Sequence, residues 1–193
     1  MKIAFIGTSC VGKTTLLEEY RETFKNDPRV AFVAEAARTF FAHHPVSDRF
    51  SVEAQGKIQL LALKNEQEAH ATGARLLFCD RSVLDAVVYV RASGDHQGAS
   101  QLFERVRMWA ATYTKLLLLD PAGVDYVTDG IRQEDLETRQ QIHDAFIQFF
   151  QETSLPYELL KGAFQERCRR IDEILTAFHR EEKIKPPGQS SQS

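Results

Sequence analysis

Short apolar runs recur along the chain and alternate with longer segments in which apolar residues return at helical spacing. Five of these runs predict β-strands, at 2–6, 29–34, 75–80, 115–120 and 157–160. Several are continuously apolar, which is typical of parallel strands covered on both faces. The alternation of strand and helix therefore predicts an α/β domain with a doubly wound, parallel five-stranded sheet. In such a domain a ligand binds beyond the carboxyl ends of the strands.

The segments between the strands predict helices with one apolar face each. Three such faces comprise Leu16, Leu17, Tyr20 and Phe24; Ile142, Ala145, Phe146, Phe149 and Phe150; and Phe164, Cys168, Ile171, Leu175 and Phe178. We expect all three to pack in the core rather than bind a ligand. A long helix is also predicted from Ser51, which would cap its start, to about Thr72, with Gly73 ending it.

Length and composition predict a single domain. The chain has 193 residues, 43% hydrophobic and 26% charged, enough for one sizeable core. The end of the chain, from Lys185 to Ser193, lacks apolar residues to bury. We therefore take 1–182 as the domain and 183–193 as a flexible C-terminal tail.

The charge balance and the start of the chain narrow the classes of partner. A formal charge of −3 provides no broad basic field for nucleic acid or an anionic membrane, which favours a small-molecule partner. A predicted strand begins at Lys2, leaving no room for a targeting peptide, and no apolar run approaches the roughly 20 residues of a membrane span. The three cysteines form no CxxC pair. We expect a cytoplasmic protein with reduced thiols.

The most informative motif lies between the first strand and the first helix. Residues 7–14 read Gly-Thr-Ser-Cys-Val-Gly-Lys-Thr, a complete GxxxxGK[ST] (Walker A) sequence. Such a loop presents backbone N–H groups and a helix N-terminus to phosphate, and Gly7 and Gly12 permit the backbone angles it needs. Lys13 would neutralise the phosphates, and Thr14 would bind Mg²⁺. The predicted ATP-binding residues are Gly7, Thr8, Ser9, Cys10, Val11, Gly12, Lys13, Thr14 and Thr15. A degenerate structural turn is the alternative.

A second candidate cluster follows the third strand, in Cys79-Asp80-Arg81-Ser82. Asp80 is placed to support Mg²⁺, in part through water, as a Walker-B carboxylate does; the alternative is a helix-start aspartate held by backbone donors. Arg81 is placed to stabilise the transferring phosphate or hold a substrate, the alternative being a surface ion pair. For Asp85 we favour a capping box with Ser82 over a catalytic role.

A third cluster follows the second strand, in Glu35-Ala36-Ala37-Arg38. Glu35 is placed to accept the proton of an attacking hydroxyl group. The alternative is a favourable acidic residue in the first turn of a helix, paired with Arg38 three positions later.

The segment 121–135 predicts a mobile loop near the start of a new helix. Its closure would bring Arg132 to the transferring phosphoryl group, although a solvated loop arginine remains the alternative. We expect Arg139 to face solvent, and also the basic start of the last helix, Arg167, Arg169 and Arg170.

Taken together, the loop 7–14, Glu35 with Arg38, Asp80-Arg81-Ser82 and residues 129–132 resemble the P-loop nucleoside and nucleotide kinases. The nearest resemblance is to the ribosylnicotinamide-kinase-like group of AAA-domain ATPases, and more distantly to deoxynucleoside kinases. It covers roughly residues 1–180 and implies a three-layer P-loop NTPase fold. Besides the catalytic role that the motif gives Lys13, it implies catalytic roles for Glu35, Asp80, Arg81 and Arg132, with Lys161-Gly162-Ala163 contacting adenine. Asp80 departs from the glutamate of deoxynucleoside kinases.

Two classes of function follow from these residues. The first is an ATP-dependent phosphotransferase acting on a small nucleoside-, nucleotide- or ribosylnicotinamide-like metabolite; the second is an NTP-binding or hydrolysing regulatory switch. The chain has no Asn-Lys-x-Asp after the fourth strand, which argues against a conventional GTPase. Arg81, in place of a glutamate beside Asp80, argues against mechanical or nucleic-acid-dependent ATPases. The acceptor and the oligomeric state stay open.

Overall fold

A computed structural model describes residues 1–44, 48–124 and 136–184 and shows a five-stranded sheet. The strands are β1 (Lys2–Ile6), β2 (Val30–Val33), β3 (Leu76–Asp80), β4 (Lys115–Leu119) and β5 (Glu158–Leu160). Their order in the sheet is β2-β3-β1-β4-β5, and every neighbouring pair is parallel. The predicted α/β class and parallel sheet are confirmed, and each observed strand lies within its predicted range.

Seven helices connect and follow the strands in the described residues. They are α1 (Lys13–Thr23), α2 (Ala36–His43), α3 (Val52–Ala71), α4 (Asp85–Ala92), α5 (His96–Ala110), α6 (Leu136–Thr153) and α7 (Phe164–Ile184). The predicted cap of α3 is present, because the Ser51 side chain accepts a hydrogen bond from the Ala54 backbone N–H. The segment 183–193 was predicted to be a tail, but α7 continues to Ile184, and 185–193 lies outside the described residues.

The sheet is covered on both faces, giving three layers. In β1, Ile3 and Phe5 join the core formed with α1 and α7, whereas Ala4 and Ile6 join the core formed with α4, α5 and α6. Side chains alternate between faces along a strand, so a strand buried on both sides must be apolar throughout. This explains the continuous apolar run that predicted β1.

The third predicted apolar face, on α7, is partly wrong. Phe164 is 37% exposed, whereas Ile171 and Leu175 are buried as expected. Arg167, which we expected in solvent, is only 3% exposed. The buried face of α7 therefore begins with a charged residue whose partners are described below.

The sheet order places the predicted motifs together. β1 lies between β3 and β4, and Phe5 of β1 is paired in register with Asp80 at the end of β3. The segment after β1 therefore starts beside the segment after β3. The chain proceeds to one side of β1 through β2 and β3 and to the other through β4 and β5, which is the switch point where open α/β sheets bind ligands.

Candidate active site

The segment after β1 adopts the conformation of a phosphate-binding loop. Gly7, Cys10 and Gly12 all have positive φ angles, of 129°, 54° and 88°. A Cβ atom at Gly7 would lie 3.3 Å from the carbonyl oxygen of Leu119, so this position favours glycine. α1 begins at Lys13, directly after the loop, and has no acidic residue in its first turn. The first turn of that helix and the positive end of its dipole therefore meet the loop.

Lys13 lies over the loop rather than in solvent. Its buried ammonium group donates to the carbonyl oxygens of Gly7 at 3.1 Å and Thr8 at 2.5 Å. The position places a positive charge at the loop, as the motif predicts. Thr14 and Thr15, in the next two positions, are exposed.

Arg167 joins this loop to two other segments, which the sequence did not predict. Its guanidinium donates to the carbonyl oxygens of Val11 at 2.6 Å, Gly162 at 2.8 Å and Asp120 at 2.7 Å. Burial lowers the pKa of Arg167, against the opposing effect of Asp120. An arginine stays protonated in proteins, so a buried cation fixes the loop to the ends of β4 and β5.

Arg139, at the start of α6, also reaches the phosphate-binding loop, and the expectation that it faces solvent is wrong. Its guanidinium lies 3.3 Å from the carbonyl oxygen of Cys10 and 3.3 Å from that of Val124. Arg139 and Arg167 are close enough that the charge of the first lowers the pKa of the second. The two cations and Lys13 favour a bound anion beside the loop.

A sequence signal for both buried arginines exists but is weak. Arg167 precedes Ile171 by four residues, and Arg139 precedes Ile142 by three, so each lies in helical register with a buried apolar residue. The basic run 167–170 pointed instead to a solvated face. That expectation holds for Arg170, which is paired at the surface with Glu158 and Glu173.

On the other side of the loop, Arg81 connects it to two carboxylates. Its Nε donates to Glu35 at 2.7 Å, and its Nη1 donates to Asp85 at 2.9 Å and to the Gly7 carbonyl oxygen at 3.0 Å. Burial alone would lower the pKa of Arg81, but Tyr89, Glu35 and Asp85 outweigh it and raise that pKa above its usual value. Arg81 is 9% exposed, so it is not a surface ion pair.

Glu35 lies both at the start of a helix, paired with Arg38, and beside the place where an acceptor would bind. It immediately precedes α2, and its second carboxylate oxygen lies 3.7 Å from the Nε of Arg38, as the helical pairing predicts. The residue is also buried and lines a cavity beside the phosphate-binding loop. The salt bridge with Arg81 stabilises the ionised carboxylate there.

Asp85 makes the contact expected of a capping box. Its Oδ2 accepts hydrogen bonds from the backbone N–H of Ser82 at 2.8 Å and from the Ser82 hydroxyl at 2.9 Å. The helix α4 begins only at Asp85, so the cap holds the turn before it. The same carboxylate forms a salt bridge with Arg81. Asp85 therefore both caps the turn before α4 and holds a side chain of the candidate site.

A cavity of about 530 Å³ opens beside Glu35, Asp80 and Arg81. Its lining comes chiefly from α2, α3, α4 and the loop before α3. Phe41, Phe50 and Tyr89 give it aromatic walls, with Phe50 and Tyr89 stacked at 5.6 Å. Arg38, Arg49 and Thr138, the last at the start of α6, also line it.

The residues predicted to hold Mg²⁺ provide suitable ligands. Mg²⁺ binds oxygen and keeps several waters, so it needs few protein groups. Thr14, exposed in the first turn of α1, offers a hydroxyl, and Asp80, half-buried at the end of β3, offers a carboxylate. Both stand at the same edge of the sheet. In the described part of the chain, no group of three or more His, Cys, Asp or Glu side chains forms a metal cluster.

The loop after β5 contains a glycine with a positive φ angle. The φ angle of Gly162, 86°, favours glycine, and an added Cβ would displace the flexible carboxylate of Glu166, which lies 2.2 Å from its position. That carboxylate accepts a hydrogen bond from the Ala163 N–H at 2.8 Å. Arg132, predicted to act from the 121–135 loop, lies outside the described residues.

Comparison with known proteins identifies the family. Residues 2–167 match the family model described as "AAA domain", and the chain belongs to this family. No curated protein matches the sequence. In the described residues, no helix is both long and apolar enough to cross a membrane.

Solved structures with a similar fold include NadR protein and two kinases. NadR protein in complex with NR is 19% identical with a TM-score of 0.73, covering 98% of this chain and 54% of the other. Thymidylate kinase from Ehrlichia chaffeensis is 15% identical with a TM-score of 0.62, and the match covers 90% of this chain and 98% of the kinase. Deoxyadenosine kinase from M. mycoides with bound dCTP is 12% identical with a TM-score of 0.57, and the match covers 92% of this chain and 100% of the kinase.

The chain spans about half the length of the NadR protein, including the form complexed with NAD and AMP-PNP. These likenesses establish a P-loop nucleoside-kinase-like fold. They confirm the family resemblance drawn from the sequence.

Proposed function

We propose that the chain is an ATP-dependent phosphotransferase that acts on a small nucleoside-, nucleotide- or ribosylnicotinamide-like metabolite. One observation supports this most strongly: the guanidinium of Arg81 binds both the Gly7 carbonyl oxygen and the Glu35 carboxylate. A cavity with a buried carboxylate is thereby fixed beside a phosphate-binding loop. A phosphoryl donor and an acceptor need that proximity, whereas a switch needs only the loop.

The phosphate side of the site supplies positive charge. The loop 7–14 would hold the triphosphate of ATP with its backbone N–H groups, and Lys13 would neutralise the β- and γ-phosphates. Arg139 and Arg167 raise the positive potential near the loop, and their mutual repulsion would be relieved by a bound polyanion. Mg²⁺, held by Thr14 and in part through water by Asp80, would neutralise charge that develops on the transferring group.

The acceptor side supplies a base and a shaped pocket. An acceptor hydroxyl oxygen would form a bond to the γ-phosphorus as the bond from that phosphorus to the β,γ-bridging oxygen breaks. The hydroxyl proton would pass to Glu35, which Arg81 keeps ionised and oriented, and ADP would leave with the electron pair of the broken bond. The aromatic walls formed by Phe41, Phe50 and Tyr89 suit a planar ring on the acceptor.

The resemblance to known structures agrees with this choice of substrate class, since one similar structure holds NR and others are nucleoside or nucleotide kinases. Gly162 is proposed to lie against the adenine, because its backbone adjoins the phosphate loop through Arg167. The partner would be a small molecule, and we place the protein in the cytoplasm as part of this proposal.

A thermal-stability screen tests the proposal. Mg-ATP, Mg-GTP, ribosylnicotinamide, deoxyadenosine and thymidine monophosphate are added singly and in pairs, and phosphate transfer is followed by ADP release. A ligand at 100 times its dissociation constant stabilises by about 2.7 kcal/mol. We expect stabilisation by Mg-ATP and by one acceptor, with ADP formed only when both are present. ATP hydrolysis at the same rate with and without every acceptor would favour the regulatory switch.

A further inference from the structure

Arg81 occupies a backbone conformation that requires support. Its φ angle is 74°, in the left-handed region that residues with a Cβ rarely adopt. Such a residue persists only where neighbouring contacts hold it, and these strained positions concentrate at functional sites. The N–H of Arg81 donates to the Phe5 carbonyl oxygen at 3.0 Å, which fixes one side of it. The other side depends on the residues that follow.

The peptide groups of Val83, two residues later, are held by side chains from distant parts of the chain. Its N–H donates to the hydroxyl oxygen of Tyr113 at 2.9 Å. Its carbonyl oxygen accepts from the Nε2 of Gln59 at 3.1 Å. Tyr113 precedes β4, and Gln59 lies on α3. Side chains from two segments on the same side of the sheet therefore hold the backbone of Val83.

Tyr113 is in turn fixed by a buried carboxylate. Its hydroxyl donates to the Oε1 of Glu66 at 2.5 Å, and the Oε2 of Glu66 accepts from Lys2 at 2.8 Å and from the indole N–H of Trp109 at 2.7 Å. Burial, followed by the charge of Glu66, raises the pKa of Tyr113, so the phenol keeps the proton that it donates. Glu66 is 1% exposed and also lines the cavity, so this support is buried beside the proposed acceptor site.

We propose that Tyr113, backed by Glu66, is a positioning residue that maintains the Arg81 conformation and thereby the orientation of Glu35. This rests on the proposed phosphotransfer function. Tyr113 is not among the residues that line the cavity, so it does not act by touching the acceptor. Its effect is transmitted along the chain from Val83 to Arg81 and then through the Arg81–Glu35 salt bridge.

The experiment compares Tyr113→Phe with Tyr20→Phe. Tyr20 is a matched control, because its buried phenol also has two polar partners, the Asp172 carboxylate and the Cys168 carbonyl oxygen, which share its single proton on the opposite face of the sheet. Rates are measured with Mg-ATP and ribosylnicotinamide, deoxyadenosine or thymidine monophosphate, and ATP affinity by calorimetry. A displacement of about 1 Å at a reacting group can cost about 100-fold in rate. We expect Tyr113→Phe to lower kcat roughly 10- to 100-fold with ATP affinity unchanged, and Tyr20→Phe to preserve kcat.

A double-mutant cycle separates positioning from general stability. In an Arg81→Met background, Tyr113→Phe should lower kcat no further while still lowering the melting temperature, because the residue through which it acts is gone. Losses of kcat that multiply in the double variant, or an unchanged kcat in Tyr113→Phe, would overturn the proposal. If Tyr113→Phe fails to fold, Trp109→Phe takes its place, because it removes a hydrogen bond to Glu66 from outside the cavity; it should show a smaller loss of kcat with the same dependence on Arg81.

Hydrogen exchange decides the proposal even if phosphotransfer is absent. The N–H of Arg81 does not contact Tyr113, yet it should exchange faster in Tyr113→Phe and at the wild-type rate in Tyr20→Phe. If the wild-type protein phosphorylates none of the acceptors, the proposed function fails while faster exchange at Arg81 still supports the positioning role. Unchanged exchange at Arg81 would reject that role whatever the activity.

Discussion

The guanidinium of Arg167 donates a 2.6 Å hydrogen bond to the carbonyl oxygen of Val11, joining the last helix to the middle of the phosphate-binding loop. The same side chain binds the carbonyl oxygen of Gly162, in the loop proposed to contact adenine. One buried cation therefore fixes the relative positions of the groups proposed to bind the two ends of ATP. Both the phosphate-binding loop and the loop after β5 are therefore held in part by a side chain of α7.

Replacing this arginine should weaken nucleotide binding. Arg167→Lys keeps the charge but cannot reach three carbonyl oxygens with the planar geometry of a guanidinium. We expect ATP affinity to fall at least tenfold and stability to fall by about 1–3 kcal/mol, because buried acceptors lose their donors. Calorimetry and denaturant unfolding measure the two effects. Arg169→Lys, at an exposed position of the same helix, is the control; equal effects of the two substitutions would contradict the role of Arg167.

Glu35→Gln should separate transfer from ATP binding. The amide keeps the shape of the carboxylate but cannot take the acceptor proton, so we expect kcat to fall by about 10²- to 10⁴-fold. ATP affinity should change less than threefold, because Glu35 lines the cavity proposed for the acceptor, whereas the loop is contacted there by Arg81. The matched control is Glu53→Gln, an exposed glutamate in the first turn of α3. A parallel loss of ATP affinity and kcat would show that Glu35 serves the phosphate site instead.

Asp80→Asn should change the response to Mg²⁺. The variant retains the size of the side chain but loses the charge that would support the ion. We expect the Mg²⁺ concentration for half-maximal activity to rise about tenfold or more, with a change in melting temperature of a few degrees at most. The alternative considered from the sequence, an aspartate held by backbone donors, gives the opposite pattern: a large loss of stability at unchanged Mg²⁺ dependence.

Much of the fold could be predicted because its signals are local. The apolar runs of β1 and β4 follow directly from burial on both faces of the sheet, and the GxxxxGK[ST] motif marks the turn from β1 to α1. The helices α4 and α5 were not separately predicted. The buried face of α4 runs almost without interruption from Asp85 to Val90, so it has little of the alternation that marks a helix.

The candidate site was less predictable, because its parts meet only after folding. Sequence proximity to strand ends was enough to select Glu35, Asp80 and Arg81. It could not show that Arg139 and Arg167 turn inward, since both depend on carbonyl groups far away in sequence. An arginine among polar neighbours favours solvent until tertiary structure supplies buried acceptors.

His143 predicts how stability responds to acid. Burial, assisted by Arg139, lowers the pKa of His143 from 6.5, against the opposing effects of Asp120 and Asp144. The unfolded chain therefore binds this proton at a higher pH than the folded protein does. The contribution of His143 to stability is complete above about pH 6.5 and is lost as the pH falls through the lower, folded-state pKa.

His143→Gln should remove that part of the pH dependence. We expect the unfolding free energy of the wild type to fall more steeply than that of the variant between about pH 7 and pH 5. Urea unfolding at several pH values measures both slopes. Parallel slopes would show that His143 titrates alike in the folded and unfolded states.

The last prediction compares two arginines for the role of contacting the transferring phosphate. Arg132 was proposed from the sequence, in the 121–135 loop; Arg139, at the start of α6, has its guanidinium 3.3 Å from the Cys10 carbonyl oxygen of the phosphate-binding loop. A guanidinium that stabilises charge in the transition state is worth about 10³- to 10⁵-fold in rate in other phosphoryl-transfer enzymes, and one of a partly redundant pair is worth less. Arg139→Ala should also weaken ATP binding, since its cation already lies beside the loop.

Arg132→Ala should lower kcat more than it raises the KM for ATP, if its contact forms on closure. Steady-state kinetics of both variants, with Arg169→Ala as the exposed control, distinguishes them. Full kcat in Arg132→Ala, with hydrogen exchange across 121–135 unchanged by ATP and acceptor, would assign the role to Arg139 alone.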